Sequence, residues 1–497
     1  MPIFDYTQNS TGITSYTAGD GISIQGNSIS AKVSVEEDNA TQIYNGAIYT
    51  PVVKPTAMKP QLIIYTAPSS PNIDVVIQKA ETKLTLQTNE NGAVTVDIPL
   101  FGTWDISATL DGEKVTNQVA ISTVRQYIVT LSKAVVCGVL WDKTNTSTQL
   151  TRLTIDSDPN SLVTVDITTE PQPAVGTGAG NSPFDQYLPW AGMEEYNIIG
   201  GAVSYKKGEP GFSRTMYNTV VYIPEFYYQV FDTDNVRCFY VSDKQLDGFK
   251  VHPGSNVYVG RYLTGIDHTS TRSGLKYDGN ISRSSARSYT TQMGTGWQVM
   301  DYATWCAIGL LYIVEFADWN SQLKIGFGTT GTQDVNTGNT DPMTYHTGYA
   351  GANGKSFIQY RNIEAIYGTT WQWLDGINIR DNQIYICNNP ANFSDSITQY
   401  YSDTNTAFGA GSYIKSLAYS NEYSWVFVPA SSGGSSSTYI PDDTYGGEGL
   451  RVLMVGSSYS YGLGSGMYIW AQNYKADSSM SYAGWRLEFR RSLEVQR

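Results

Sequence analysis

The sequence predicts a mainly β, multidomain protein in three parts: an N-terminal β segment over residues 1–60, a β-sandwich over 61–134, and an α+β domain over 135–497. Three observations carry this. The chain has 497 residues, more than one hydrophobic core usually serves. Short alternating apolar runs from 61 to 134 are separated by turn signals at the spacing of a small sandwich. Beyond 135 the loops lengthen, and a single strong helix signal interrupts a series of strands.

The elements follow in order. In "GDGISIQGNSISAKV", Ile22 and Ile24 alternate with polar residues, Gln25-Gly26-Asn27 supplies a turn, and Ile29, Ala31 and Val33 alternate again. An isolated hairpin is marginal in water, so this one is expected to pair with further copies or with a partner. The sandwich strands read as "LIIY", "DVVIQ", "KLTLQ", "AVTVDI", "TWDISATL", "EKVTNQVAI" and "QYIVTL". Asp111-Gly112 and Asn91-Gly92 are turns that need positive φ. Trp104 is expected in the core. This spacing predicts a small β-sandwich, and the module resembles an immunoglobulin-like or carboxypeptidase-regulatory-like spacer.

Residues 170–193 are too rich in Pro and Gly for a regular element. Strands resume at 219–223 and 226–231. Asp301 can cap the helix "YATWCAIGLLYIVEFA", whose apolar residues lie nearly all round and predict burial, with Trp297 and Trp305 packed against it. "SSGGSSS" at 431–437 is a loop tip. "GLRVLMVG" at 449–456 is a central strand, and "WRLEFRR" at 485–491 places Trp485, Leu487 and Phe489 on one face and Arg486, Glu488 and Arg490 on the other.

Composition limits the function. Charged residues make up 15% of the chain while Tyr reaches 37 copies and Gly 47, so the surface must be polar largely without charge, as in many extracellular fibres and adhesins. A net charge of −13 argues against nucleic acid and against anionic membranes as partners. Cys137, Cys238, Cys306 and Cys387 are far apart and read as buried free thiols. The opening "MPIFDYTQNSTG" has neither the basic start nor the apolar run of a secretory signal, and "CAIGLLYIV" is about half the length needed to span a bilayer. A protein of this kind acting outside a cell needs another route there.

Between the last two predicted strands lies "GSSYSYGLGSGMYIWAQNYKADSSMSYAGWR" at 456–486, dominated by Tyr, Ser and Gly. Tyr offers rigid contact area with a polar tip, and Ser, Gly and Asn offer adaptable hydrogen bonds, the set favoured in antibody paratopes. Loops held between well-specified strands commonly display binding surfaces. The expected contact residues are Ser458, Tyr459, Ser460, Tyr461, Ser465 and Tyr468, followed by Asn473, Tyr474, Asp477, Ser479 and Tyr482. For Tyr468 and Trp470 the alternative is the core, because "GMYIWA" must turn alternate residues inward.

The string "GTTWQWLDG" at 368–376, followed by "LRVLMVGSSYSYGLGSGMYI" and "YAGWRLEF", resembles the C-type-lectin-like fold. That fold is shared by formylglycine-generating enzymes and the variable proteins of diversity-generating retroelements. "GWQVMDYATWCAI" is similar to the segment that opens the helix of that fold, and "SPFDQYLPWAGM", "VVYIPEFYYQVF", "VSDKQLDGFKVHPG" and "VYVGRYLTG" resemble tail-associated phage proteins. The likeness covers roughly 138–497, and the short N-terminal strands resemble phage fibre attachment segments. In the major tropism determinant class the turn would match Gly456-Ser457-Ser458 and the ending Gly484-Trp485-Arg486, with Ser457 standing where a second Gly is usual. The resemblance implies a phage tail receptor-binding protein in the virion, a homotrimer bound to other tail proteins and to a host-surface protein or glycan. It also implies that 456–482 is diversified.

Catalytic chemistry is not indicated. No Cys follows Cys387, so the cysteine pair of formylglycine-generating enzymes has no counterpart. His252, His268 and His346 lie in no metal-ligand spacing, and His252 reads as structural. Asp375, Asn378 and Asp381 read as turn residues rather than calcium ligands, as do Asp442, Asp443 and Glu448. No cofactor or metal is expected. Two alternatives stay open: a tail depolymerase, since a carboxylate pair need not be close in sequence, and a structural baseplate or collar protein.

Overall fold

The computed structural model describes residues 59–491 apart from 68, 329–330, 332–334, 352–355 and 410, together with four short strands within 22–49. The chain is mainly β, with several sheets, and divides into two compact units, Met1–Lys133 and Ala134–Arg497.

In the first unit β1 (Ile22–Gln25) pairs antiparallel with β2 (Ser28–Ala31), and β3 (Gln42–Tyr44) with β4 (Ala47–Tyr49). The first pair is the hairpin that the alternation predicts; Val33 and most of the rest of 1–60 lie outside the described residues. Seven strands then form a two-sheet sandwich. They are β5 (Gln61–Ala67), β6 (Asp74–Lys79), β7 (Thr82–Gln87), β8 (Ala93–Asp97), β9 (Gly102–Leu110), β10 (Glu113–Ile121) and β11 (Gln126–Ser132).

One sheet runs β10-β9-β6-β7 and the other β11-β5-β8, with β11 parallel to β5. Period-two alternation puts Leu62 and Ile64, Val75 and Ile77, and Val129 and Leu131 into one shared core. Asp111 and Gly112 take φ of +47° and +82°, the mirror-image turn whose twist suits the right-handed twist of β9 and β10. Trp104 is fully buried, and its indole N–H donates to the Leu100 carbonyl at 2.9 Å.

The second unit holds three larger sheets. A six-stranded one runs Ala202–Lys206, Glu195–Ile199, Asn218–Ile223, Val257–Gly260, Leu487–Phe489, Trp297–Val299. A five-stranded one is centred on Val236–Ser242. An eight-stranded one includes Trp371–Trp373, Ile377–Arg380, Leu450–Val455, Trp470–Tyr474 and Ala483–Trp485. Leu450–Val455 is central, as its apolar run predicts, with pairing on both sides.

Three α-helices lie among the described residues of this unit, α1 (Arg283–Met293), α2 (Tyr302–Phe316) and the short α3 (Ser321–Ile325). Asp301 caps α2, accepting from the Thr304 N–H at 2.8 Å, and every residue of α2 is buried, Glu315 included. Trp305 lies in the α2 core. Trp297 does not: its strand pairs with Leu487–Phe489, so its ring lies 5.1 Å from Phe489 in a separate core.

Two expectations about polar residues are corrected. The face of "WRLEFRR" opposite Trp485, Leu487 and Phe489 is buried too, because the chain crosses there between sheets. Arg486 is fully buried, donating to the carbonyls of Gly260 (2.8 Å), Arg261 (3.1 Å), Glu364 (2.7 Å) and Ala365 (3.0 Å) and to Gln372 Oε1 (3.0 Å). Glu488 is buried between Gln298 and Arg490, both at 2.8 Å. Asp375 and Asn378 are not turn residues either. Asp375 accepts a two-pronged bond from Arg287 (2.7 and 2.8 Å) and Asn378 accepts from Arg283 (2.8 Å), tying α1 to the sheet. Asp381 does sit in a turn, with φ +50°, beside Asn382 at +69°.

Candidate functional site

The Tyr/Ser/Gly stretch is built from the sheet outward. Leu450–Val455 pairs with Trp470–Tyr474, and Met454 lies opposite Ala471, which is itself opposite Tyr445. Met454 and Ala471 therefore form a floor. Between Val452 and Met454 the register slips, so that the 470–474 strand carries one extra residue. Such a bulge re-aims side chains, and here Asn473 and Tyr474, neighbours in sequence, both reach the same hollow.

That hollow has a volume of about 210 Å³. Its aromatic walls are Trp371, Tyr445, Tyr461, Tyr474 and Tyr482, and its polar lining is Ser458, Ser460 and Asn473. Three of the rings stand perpendicular to one another: Trp371 and Tyr461 at 5.4 Å, Trp371 and Tyr445 at 6.1 Å, and Tyr445 and Tyr461 at 5.7 Å. This edge-to-face geometry fixes the ring positions. The Tyr474 and Tyr482 hydroxyls share a hydrogen bond of 2.8 Å. That bond, reinforced by burial, pushes Tyr482 up to about 12, and burial together with Tyr461 raises Tyr445, so both phenols stay neutral. None of the lining residues carries a charge. Asp443 lies behind the wall, accepting from the Tyr445 hydroxyl at 3.2 Å.

The predicted contact residues separate into three groups. Ser458, Ser460, Tyr461, Asn473, Tyr474 and Tyr482 meet around this hollow, although Ser458 is itself largely buried. Tyr459, half-buried, and the exposed Asp477 and Ser479 lie outside it; Asp477 lines an adjoining open groove. Ser465 and Tyr468 are not surface residues. Ser465 is fully buried and its hydroxyl pairs with that of Ser457, closing the base of the loop. Tyr468 turns into the core, its hydroxyl donating to the Gly309 carbonyl of α2 at 2.8 Å. The inward alternation of "GMYIWA" is the physical reason, and Trp470 follows it.

The loop is held firmly below its rim. The buried Asp442 accepts from the Tyr468 N–H at 2.7 Å, and Gly466 has no room for a Cβ against that carboxyl. Burial pushes Asp442 up to about 8. The Gly462 carbonyl accepts from Gln322 at 2.7 Å, and the Met467 N–H donates to Ser321 at 2.9 Å. Asp442 points inward, Asp443 toward Tyr445, and Glu448 is exposed. Among the described residues, no three His, Cys, Asp or Glu side chains converge as metal ligands.

Sequence reasoning missed Trp371, Tyr445, Met454 and Ala471. Trp371 was legible only as part of "GTTWQWLDG". Its spacing from Trp373 puts both on one face of a strand, a signal that could have placed it near the display loop.

No family model matches the sequence, and no curated protein matches it. Among solved structures the chain is similar to three Major Tropism Determinant variants. The I1 variant gives a TM-score of 0.26 at 11% identity, over 79% of this chain and 82% of that one. The P3c variant gives 0.25 at 10%, over 79% and 82%, and the U1 variant 0.26 at 9%, over 83% and 92%.

A second cavity, of about 310 Å³, is largely charged, lined in part by Asp185, Glu194, Glu195, Lys207, His346 and Arg361. Its carboxylates are engaged. Burial opposes the ionised Asp185, but His346, Arg361 and Tyr345 outweigh it and hold the group well below the usual range. Burial likewise opposes Glu195, yet Arg261 and Arg214 hold it at about 2. His252 is fully buried, stacked 5.0 Å from Phe226, and burial lowers it to about 3. All four cysteines are free and buried. No helix among the described residues is long and apolar enough to cross a membrane.

Proposed function

We propose that this chain is a phage tail adhesin that attaches the virion to a host cell surface through the 456–482 region, without catalysis of its own. The observation that carries the reading is the uncharged aromatic hollow, framed by Tyr461, Tyr474, Tyr482 and Asn473 and supported by a buried sheet. Rigid aromatic walls with polar tips on an ordered base make a preorganised binding surface, which loses little entropy on engagement. The order of motifs from "GWQVMDYATW" to "YAGWRLEF" adds the C-type-lectin-like reading of 135–497. The two-sheet sandwich of the first unit, with its first and last strands parallel, fits an immunoglobulin-like spacer.

The depolymerase alternative is less well supported. A glycosidase needs one carboxyl held protonated beside another. In the charged cavity Asp185 is held ionised by His346, Arg361 and Tyr345, and Glu195 by Arg261 and Arg214; the raised carboxyl of Asp442, next to Asp443, is buried beneath the loop on the Tyr468 N–H. The proposed assembly is a homotrimer at the tail, gaining avidity from three sites; light scattering that gives the mass of one chain overturns that part.

The test is direct. Purified full-length protein should bind host cells saturably and block phage adsorption, and Tyr461→Ala should lose both while melting near the wild type. Wild-type adsorption by that variant assigns attachment elsewhere. Diversification is tested separately by deep sequencing of codons 456–482: substitutions clustered at adenine-bearing codons support it, and uniform constancy ends it.

A further inference from the structure

We infer that the aromatic hollow takes one neutral pyranose ring, so that the receptor is a glycan. The inference rests on the adhesin reading and specifies its ligand. A sugar ring has apolar C–H faces and a girdle of hydroxyls, and the hollow supplies both complements. Tyr445 and Tyr461, backed by the buried Trp371, present aromatic surface, while the Tyr474 and Tyr482 hydroxyls and the Asn473 amide supply donors and acceptors.

Size narrows the choice. Drug-sized ligands fill clefts of about 300–1,000 Å³, and 210 Å³ suits a single ring better than a folded peptide segment. Charge narrows it again: no cation lines the hollow to balance a uronate, sialate or phosphate, and burying such a group unpaired is costly. The rim is polar, which suits the hydroxyls of a sugar. Exposed at its edge are Ser460 and Asn473; Lys475, Asp477, Ser479 and Ser481 are exposed beyond it, and Leu463 is the one large exposed apolar residue of the 456–482 region.

The experiment uses the full chain with methyl glycosides of glucose, galactose, mannose, rhamnose, N-acetylglucosamine and N-acetylgalactosamine. Glucuronate and choline chloride serve as charged probes, read by saturation-transfer NMR and calorimetry. At least one neutral glycoside should bind with a Kd on the order of 1 mM, the scale for a ligand of this few atoms. Asn473→Ala should weaken it about tenfold, and Tyr474→Phe, which keeps the ring and drops the shared hydroxyl bond, about threefold. Both variants should melt within a few degrees of the wild type.

Binding of choline or glucuronate alone, no glycoside binding up to about 50 mM, or glycoside binding untouched by both variants each overturns the inference. Periodate treatment of host cells separates it from the adhesin reading. Adsorption that survives periodate but not protease refutes the glycan while the adhesin stands. Glycoside binding by a chain that never binds cells does the reverse.

Discussion

Replacing Tyr468 distinguishes framework from display. Its ring is buried 4.8 Å from Trp319 in edge-on contact and 5.5 Å from Phe427, and its hydroxyl donates to Gly309 at 2.8 Å. Gly309 lies inside α2, where its carbonyl also receives the helical N–H four residues on, so the acceptor keeps a partner when the hydroxyl goes. Tyr468→Phe should therefore cost about 1 kcal/mol. Tyr468→Ala also leaves a ring-sized cavity between α2 and the sheet and should cost about 3–5 kcal/mol, a large part of a total of about 5–15. Urea unfolding of the 134–497 unit reads both, and cell adsorption of Tyr468→Phe reads function. The expected pattern is graded destabilisation with adsorption intact in the Phe variant. Normal stability combined with lost adsorption in that variant would place Tyr468 at the receptor and refute the buried assignment.

Asp442 is raised from 3.8 to about 8, so the folded state holds a proton that the unfolded chain has released. Its contribution is full below pH about 4 and is lost as pH rises through about 8; Asp442→Asn should flatten that decline and be more stable by several kcal/mol near pH 9 in urea unfolding. His252 is lowered to about 3, so its contribution is full above pH about 6.5 and is lost as pH falls toward 3; His252→Gln should shrink the acid loss in the same assay. Arg486→Lys offers three donors where five bonds exist and should destabilise by more than about 3 kcal/mol, seen as a lowered melting temperature. Trp104→Phe loses the bond to Leu100 and some volume, and should cost the sandwich about 1–3 kcal/mol in its unfolding transition.

How much of this was legible depended on range. All seven sandwich strands and the cap of α2 follow from signals within a few residues: alternation, Asp-Gly turns, and an Asp before an apolar run. The second unit follows less well because its polar residues are used across long separations. Asp375 looks like a turn residue in "LDGINIRD", yet Arg287, far back in the chain, makes it an anchor. Arg486 looks like the polar face of an alternating strand until the sheet crossing surrounds it with carbonyls. The pocket shows the same limit. Six of its polar and aromatic walls come from the one stretch whose composition announces display, and two of its rings, Trp371 and Tyr445, come from strands that only pairing brings alongside.

The division between Arg486 and the pocket rim bears on how the surface could change. Arg486 donates to four backbone carbonyls, acceptors that exist whatever side chains stand nearby, and so it clamps the sheet crossing beneath the pocket independently of the pocket's own residues. The base of the display loop is held by Ser457, Ser465 and Asp442 through buried hydroxyl and backbone bonds. Ser460 and Asn473, by contrast, are exposed at the rim. Substitutions there should fall within the roughly ±0.5 kcal/mol typical of surface positions, whereas those at Ser465 or Arg486 should not. The proposed receptor site can therefore be altered at little cost in folding, provided changes stay on the rim.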